Sequence, residues 1–285
     1  MRIFAKTRAL LQLIRPELPL AAGICVVVGQ VLALGALPRA ATLGLGFALG
    51  FFLSSSAMVF NDYFDMEVDR VNTPHKPLPA GLIPPSEAIA FGVLTAVTAW
   101  ILALCIHPIA FAICLVLWVL GFLYNWKLKA AGLWGNLIVS ANVAMTFFLG
   151  GVSVGRVGDP LVWTFAAIAF VFDLAEEIAG DAMDMQGDRE RGSQSIAIRY
   201  GRAAALRISG ALFAVMIGLT LVPIFLGETG LEYILPIAVM DGIILYFTRR
   251  LLRSQTPGQG RRAMRVMYLS ATLGLVAFVV AGFMR

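Results

Sequence analysis

Apolar runs of about 20 residues recur along the whole chain, separated by short polar segments. Nine can be delimited: 17–36, 41–61, 86–106, 108–125, 132–154, 160–180, 204–226, 231–248 and 264–284. About 20 apolar residues wound as an α-helix are enough to cross a hydrocarbon core of roughly 30 Å. The pattern predicts an all-α integral membrane protein with nine transmembrane helices.

The basic residues orient that arrangement. With the N-terminus in the cytoplasm, 19 of the 22 Lys and Arg fall in inner segments, and only Arg39, Arg156 and Arg285 fall outside. This is the bias that the positive-inside rule describes, and a miscount by one span would scramble it. The expected location is therefore the cell membrane, crossed many times, with the loops after even-numbered spans on the cytoplasmic side. Composition agrees: only 14% of residues are charged, against roughly 25% in soluble domains. The net charge of +5 reports orientation and does not imply nucleic acid. Cys25, Cys105 and Cys114 lie inside predicted spans without a CxxC pair, so buried apolar cysteine is expected rather than zinc or a disulfide. No linker or low-complexity tract divides the chain, and residues 1–285 read as one domain.

Acidic residues break the apolar pattern in two places. Of 17 Asp and Glu, four lie within 62–69 and seven within 173–190. Residues 62–70 read DYFDMEVDR and residues 181–189 read DAMDMQGDR. Asp62, Asp65, Met66, Asp69 and Arg70 recur as Asp181, Asp184, Met185, Asp188 and Arg189, 119 residues later. Each string closes an even-numbered span. A duplicated four-helix unit with a ninth helix added explains both the likeness and the position, and a site between repeats is a familiar membrane architecture. Both strings are expected in the two longest inner loops, roughly 62–85 and 181–203.

Spacings of three and four put the acids of each string on one face of a helix. Like charges so placed repel, and at the membrane edge they are also poorly solvated. A neutralising cation resolves both problems. The donors are hard oxygens without His or Cys, which favours Mg²⁺, an ion usually held by one or two carboxylates plus substrate phosphates. Two such clusters with two or more Mg²⁺ form a clamp for a diphosphate. Arg70, Lys76, Lys127, Lys129, Arg189 and Arg199 lie on the same side of the membrane and could take the remaining phosphate oxygens. The arginines of 249–265 have no acidic neighbours in sequence and read as orientation signals. A diphosphate site opening into an apolar bundle suits a lipid diphosphate. Aromatic walls could stabilise the carbocation left when an allylic C–O bond ionises; Phe60, Tyr63, Phe64, Tyr124, Trp126, Phe147, Phe148 and Phe172 are the candidates. An ion-coupled transporter is the rival from another class, but its acids gather near the bilayer midplane. No general base stands out.

The string Asn61-Asp62-x-x-Asp65-x-x-x-Asp69, followed by NTPHKPLPAG, resembles the first signature of the UbiA superfamily of intramembrane prenyltransferases. The string Asp181-x-x-Asp184-x-x-x-Asp188 resembles the second. The resemblance covers essentially the whole chain. It implies a nine-helix barrel-like bundle, two Mg²⁺ ions, and transfer of an isoprenoid chain from its diphosphate to a lipophilic acceptor. It implies metal and diphosphate roles for Asn61, Asp65, Asp69, Asp184 and Asp188. Asp62, Arg70, Lys76, Tyr124, Lys127, Lys129, Asp181 and Arg199 are the candidate substrate contacts around them. The segments 124–151 and 180–201 are most similar to the digeranylgeranylglyceryl phosphate synthase branch. That branch implies geranylgeranyl diphosphate as donor and geranylgeranylglyceryl phosphate as acceptor. Gly180 and Glu176 stand where basic residues are common in it, and an aromatic or quinone-type acceptor is the alternative.

Among smaller signals, His75 reads as a solvated loop residue and His107 as a structural residue before Pro108. Gly46 and Gly50 read as a close helix contact. Asp241, inside an apolar run, should pair with a neighbouring helix or lie near the site.

Overall fold

The structure, a computed structural model, describes residues 2–190, 192–227 and 230–282. Arg191, Arg285 and the end of the ninth predicted run lie outside these. All regular elements among the described residues are helical: α1 (Arg2–Ile14), α2 (Glu17–Leu34), α3 (Ala40–Phe64), α4 (Met66–Asn72), α5 (Pro85–Ile106), α6 (Pro108–Leu123), α7 (Leu133–Ser153), α8 (Pro160–Glu190), α9 (Ile196–Tyr200), α10 (Arg202–Leu219), α11 (Val222–Phe225), α12 (Leu231–Leu252) and α13 (Pro257–Gly282). Between α6 and α7 the chain forms a widened π-turn, Tyr124–Leu128, then a 3₁₀ turn, Lys129–Ala131.

Among the described residues, six stretches are long and apolar enough to cross a membrane: Glu17–Leu34, Ala40–Phe64, Pro85–Ile106, Pro108–Ala131, Leu133–Ser153 and Arg202–Phe225. The protein is a multi-pass membrane protein. Helices α8, α12 and α13 are as long but more heavily charged. Large apolar side chains such as Val93, Leu94, Ile101 and Leu104 on α5 face outward. In water this would be a liability; in lipid it is the required surface.

Local chemistry starts and stops the helices where expected. Proline opens α5 and α6, where its missing N–H is not needed. The Asp159 carboxylate accepts from the N–H groups of Leu161 (2.9 Å) and Val162 (3.1 Å), which caps α8. His107 is structural: its Nδ1 accepts from the Ile109 N–H at the start of α6.

Packing closes the helices into a ring. Helix α2 packs on α3, α3 on α5 and α5 on α6; α7 packs on α8, α8 on α10 and α10 on α12. Helix α7 also joins α2, and α13 returns from α12 to α2 and α8. The α2 contacts are too close for side chains. A Cβ on Gly29 would stand 2.1 Å from the Phe147 carbonyl oxygen of α7, and one on Gly150 would stand 2.2 Å from that of Val26. The Gly46/Gly50 pair works the same way on α3, since a Cβ on Gly50 would meet the Ala22 carbonyl oxygen at 2.7 Å. Buried Gln30 ties the three helices together by donating to the Thr42 carbonyl and to Ser153 Oγ, both at 2.9 Å.

The two acidic strings do not lie in loops. Helix α8 continues through the second string to Glu190, a length of 31 residues, or about 46 Å at 1.5 Å per residue. In the first string only Asp65 separates α3 from α4, and helical bonding runs through it: its N–H reaches the Asn61 carbonyl at 3.0 Å and its carbonyl accepts from Asp69 at 2.8 Å. Continuous helix preserves the one-face spacing of the acids, which a loop would scatter. Cys25 and Cys114 are buried as expected, whereas Cys105 is exposed on the outer face.

Candidate active site

One cavity of about 2190 Å³ occupies the middle of the ring, well above the roughly 300–1,000 Å³ of an ordinary ligand pocket. Helix α8 lines it from Phe165 to Glu190, about 38 Å along the axis. One end is charged and the other apolar, with Phe165, Ile168, Met216, Ile237, Met240 and Leu275 at the apolar end.

The charged end brings the two strings together. Asn61, Asp65 and Asp69 line it from the α3–α4 side, and Asp181, Asp184 and Asp188 from α8. The widened turn after α6 completes the first side. Asn61 Nδ2 donates to Asn125 Oδ1 at 3.1 Å, and Lys129 is ion-paired with Asp65 one helical turn further on. A wide turn of this kind often marks a functional site; here it and the 3₁₀ turn after it bring Tyr124 and Lys129 into the cavity. Lys76 Nζ holds Asp69 at 2.6 Å, and Thr73 donates to the other Asp69 oxygen at 2.7 Å. On the second side, Asn136 donates to Asp181 at 2.9 Å and Arg261 of α13 pairs with Asp184.

The two sides are physically joined. Gln194, just beyond α8, donates its N–H to the Ala130 carbonyl at 2.9 Å. Gly132 lets this loop lie against the turn. Its φ is +62°, and a Cβ there would come within 2.3 Å of the Gln194 carbonyl oxygen, so both conformation and space demand glycine.

Four predicted substrate contacts stand elsewhere. Asp62 is buried outside the lining, ion-paired with Arg15 and 3.2 Å from Lys76. It is an anchor for α3, unlike its counterpart Asp181, which faces the cavity. Arg70 is exposed and pairs with Glu67 at 2.8 Å. Lys127 lies over the Trp126 ring, 4.3 Å from its centre. Arg199 is exposed and gives two hydrogen bonds to Gln194. None of the three lines the cavity. Of the aromatic candidates, only Tyr124, Phe147 and Phe172 line it. Phe60 and Phe64 instead meet Phe122 edge-on, and Phe148 packs on Trp163.

Other residues enter the site unannounced. Arg261 and Arg265 line the cavity, so the reading of 249–265 as orientation signals alone is corrected for these two. Helix α13 brings them in by packing on α8, with Gly260 directly against the Met183 side chain. Arg15 lines the cavity from the N-terminal side. Asp241 does not; its carboxylate accepts from Thr220 Oγ1 at 2.7 Å, which is the neighbour-helix pairing.

The donors suit magnesium. They are carboxylate and amide oxygens on opposite sides of one cavity, already matched by cationic side chains. Among the described residues no three His, Cys, Asp or Glu side chains stand close enough to hold a metal by themselves. Magnesium usually takes one or two carboxylates and completes its shell with phosphate oxygens and water.

A helical ring around a cavity with paired carboxylates and cations at one end and apolar walls at the other is the architecture of an intramembrane site for an amphipathic ligand. The UbiA prenyltransferase family matches residues 22–274, and the chain belongs to that family. It is 36% identical to the digeranylgeranylglyceryl phosphate synthase of Thermococcus kodakarensis, over 98% of this chain and 99% of that one. It superposes on a solved structure of a digeranylgeranylglyceryl phosphate synthase with a TM-score of 0.77 and 27% identity, covering 98% and 99% of the two chains. A UbiA homologue from Archaeoglobus fulgidus, solved bound to GPP and Mg²⁺, shares the fold with a TM-score of 0.71 at 19% identity, covering 96% and 99%.

Proposed function

We propose that this protein transfers a geranylgeranyl chain from geranylgeranyl diphosphate to the free alcohol of geranylgeranylglyceryl phosphate. The observation that carries the proposal is the single cavity on which both Asp strings converge at one end while the other end is apolar. A diphosphate fits the first end and an isoprenoid chain the second. The cavity's size suits two lipid chains side by side. The names of the close relatives point to this acceptor.

Asn61, Asp65 and Asp69 would hold one Mg²⁺, and Asp184 and Asp188 a second. The bound ions supply Lewis acidity and neutralise charge on the leaving diphosphate. The chain's own groups do the rest. Lys76, Lys129 and Arg261, now paired with Asp69, Asp65 and Asp184, are placed to turn to phosphate oxygens once cations take over those carboxylates. Tyr124, Phe147 and Phe172 border the space where positive charge develops on the allylic carbon. The apolar walls keep water from that carbon.

The same reading takes residues 1–285 as one domain with nine spans. It pairs α2, α3, α5 and α6 with α7, α8, α10 and α12 as repeats, with α13 added. The matched packing order of the two sets supports it. The N-terminus would lie in the cytoplasm of a cell-membrane protein, with the charged end of the cavity on that side. A reporter fused after Arg285 should then be external. A cytoplasmic reporter would break either the nine-span count or the orientation.

The acceptor is tested by product analysis. Purified protein with geranylgeranyl diphosphate and Mg²⁺ should form the diether from geranylgeranylglyceryl phosphate and leave 4-hydroxybenzoate unchanged. Prenylation of the ring but not of the alcohol would overturn the acceptor and leave the clamp standing.

A further inference from the structure

Among the carboxylates that line the cavity without a part in the clamp, Asp173, Glu176 and Glu177 stand together on α8. On the nine-span reading they sit in the part of α8 that crosses the membrane, where acids are costly and mark function. Asp173, Glu177, Asp181, Asp184 and Asp188 follow at intervals of four, four, three and four residues, so they form one stripe on the helix. Along the axis Glu177 is about 10 Å from Asp184, and Asp173 about 16 Å. The stripe runs from the diphosphate end toward the apolar end, through the zone where donor carbon and acceptor oxygen must meet.

The three acids differ in what holds them. Asp173 accepts a hydrogen bond from Ser140 Oγ at 2.9 Å. Glu176 stands off the stripe, toward Asp173 and Tyr268 of α13. Glu177 lines the cavity and, among the described residues, makes no hydrogen bond or salt bridge. Its charged and titratable neighbours are Asp173, Glu176 and Asp181 on its own helix, with Tyr124 from the widened turn and Lys129 from the 3₁₀ turn after it. Helix α7 faces the same stretch with the uncharged Asn136 and Ser140.

We propose that Glu177 is the catalytic base that removes the proton of the acceptor alcohol. The proposal rests on the alcohol-prenylating reading given above. The C–O bond between the donor's first carbon and the diphosphate breaks, and its electron pair leaves with the diphosphate. A lone pair of the acceptor oxygen forms the new C–O bond to that carbon. The acceptor proton passes to a Glu177 carboxylate oxygen and leaves through the charged mouth of the cavity. Donor ionisation needs no base, so the two halves of the reaction are separable.

Glu177→Gln tests this in the full-length protein with Mg²⁺, geranylgeranyl diphosphate and geranylgeranylglyceryl phosphate. The kcat for ether formation should fall at least about a hundredfold, the usual worth of general base catalysis. The donor KM and the slow release of diphosphate without acceptor should stay within about threefold. Glu177→Asp keeps the carboxylate one methylene back and should recover at least about tenfold over Glu177→Gln. Near-normal ether formation by Glu177→Gln overturns the proposal. So does loss of acceptor-free diphosphate release in step with ether formation, or an Asp variant no better than the Gln variant. If Glu177→Gln no longer shows a donor-dependent thermal shift, Glu177→Asp decides: ether formation with acceptor-free diphosphate release at the wild-type rate supports the base, and loss of both in step overturns it. Wild-type protein that releases diphosphate yet never alters the alcohol would instead refute the acceptor.

Discussion

Asp65→Asn and Asp184→Asn should each lower turnover at least about a hundredfold. Each substitution keeps the side chain's size and removes one charged oxygen donor from one side of the diphosphate. A hundredfold is about 2.7 kcal/mol of barrier, at 1.36 kcal/mol per tenfold, a modest demand on a metal ligand. The fold should survive. Like-charge spacing alone would suggest that neutralising either residue stabilises the protein, but the pairing partners argue against a gain. Lys129 loses Asp65 yet still faces Glu177. The Arg261–Asp184 pair is more than half exposed on both sides, and such pairs are worth about 0–1 kcal/mol. Asp159→Asn is the control. It caps α8 away from the cavity, and Asn caps as well as Asp, so activity and melting should match wild type. Turnover and thermal unfolding of all three variants in one detergent check the prediction. Normal turnover by Asp184→Asn beside a dead Asp65→Asn would remove Asp184 from the clamp.

A larger effect on folding is expected from a single methyl group. Gly29→Ala places a Cβ 2.1 Å from a backbone carbonyl of α7. No side-chain rotation relieves that contact, so α2 and α7 must separate. Overpacking of this kind costs on the order of 3 kcal/mol, and the loss falls on the contact that joins the two halves of the ring. Gly44→Ala is the contrast: it lies inside α3 with nothing within 4 Å of the added atom. There alanine should be neutral or stabilising by up to about 1 kcal/mol through helix propensity. Thermal unfolding in detergent should separate the two variants clearly; equal melting would mean that α2 and α7 are not packed as described.

Much of the long-helix frame could be read from the sequence, because the length of an apolar run is a local property. Both acidic strings were legible for the same reason, as was the close helix contact at Gly46 and Gly50. What packing over long separations decides was not. Arg261 reaches Asp184 across 77 residues, and Arg15 reaches Asp62 across 47; neither pair leaves a periodic trace. Residues 181–190 were expected as a loop because charge lowers hydropathy, although charge does not end a helix that extends past the hydrocarbon. The repeat suggested equivalence of Asp62 and Asp181, which face different surroundings. Asp173, Glu176 and Glu177 were visible as acids but stood outside the repeated string, and only the cavity gives them a place.

The most direct test of the metal clamp is diphosphate release from geranylgeranyl diphosphate and geranylgeranylglyceryl phosphate by metal-stripped protein, followed as Mg²⁺ is added back. The account predicts no release above background in excess chelator, recovery on Mg²⁺ addition with a steeper than one-site dependence, and ether product equal to the diphosphate released. Full turnover with chelator present would contradict it.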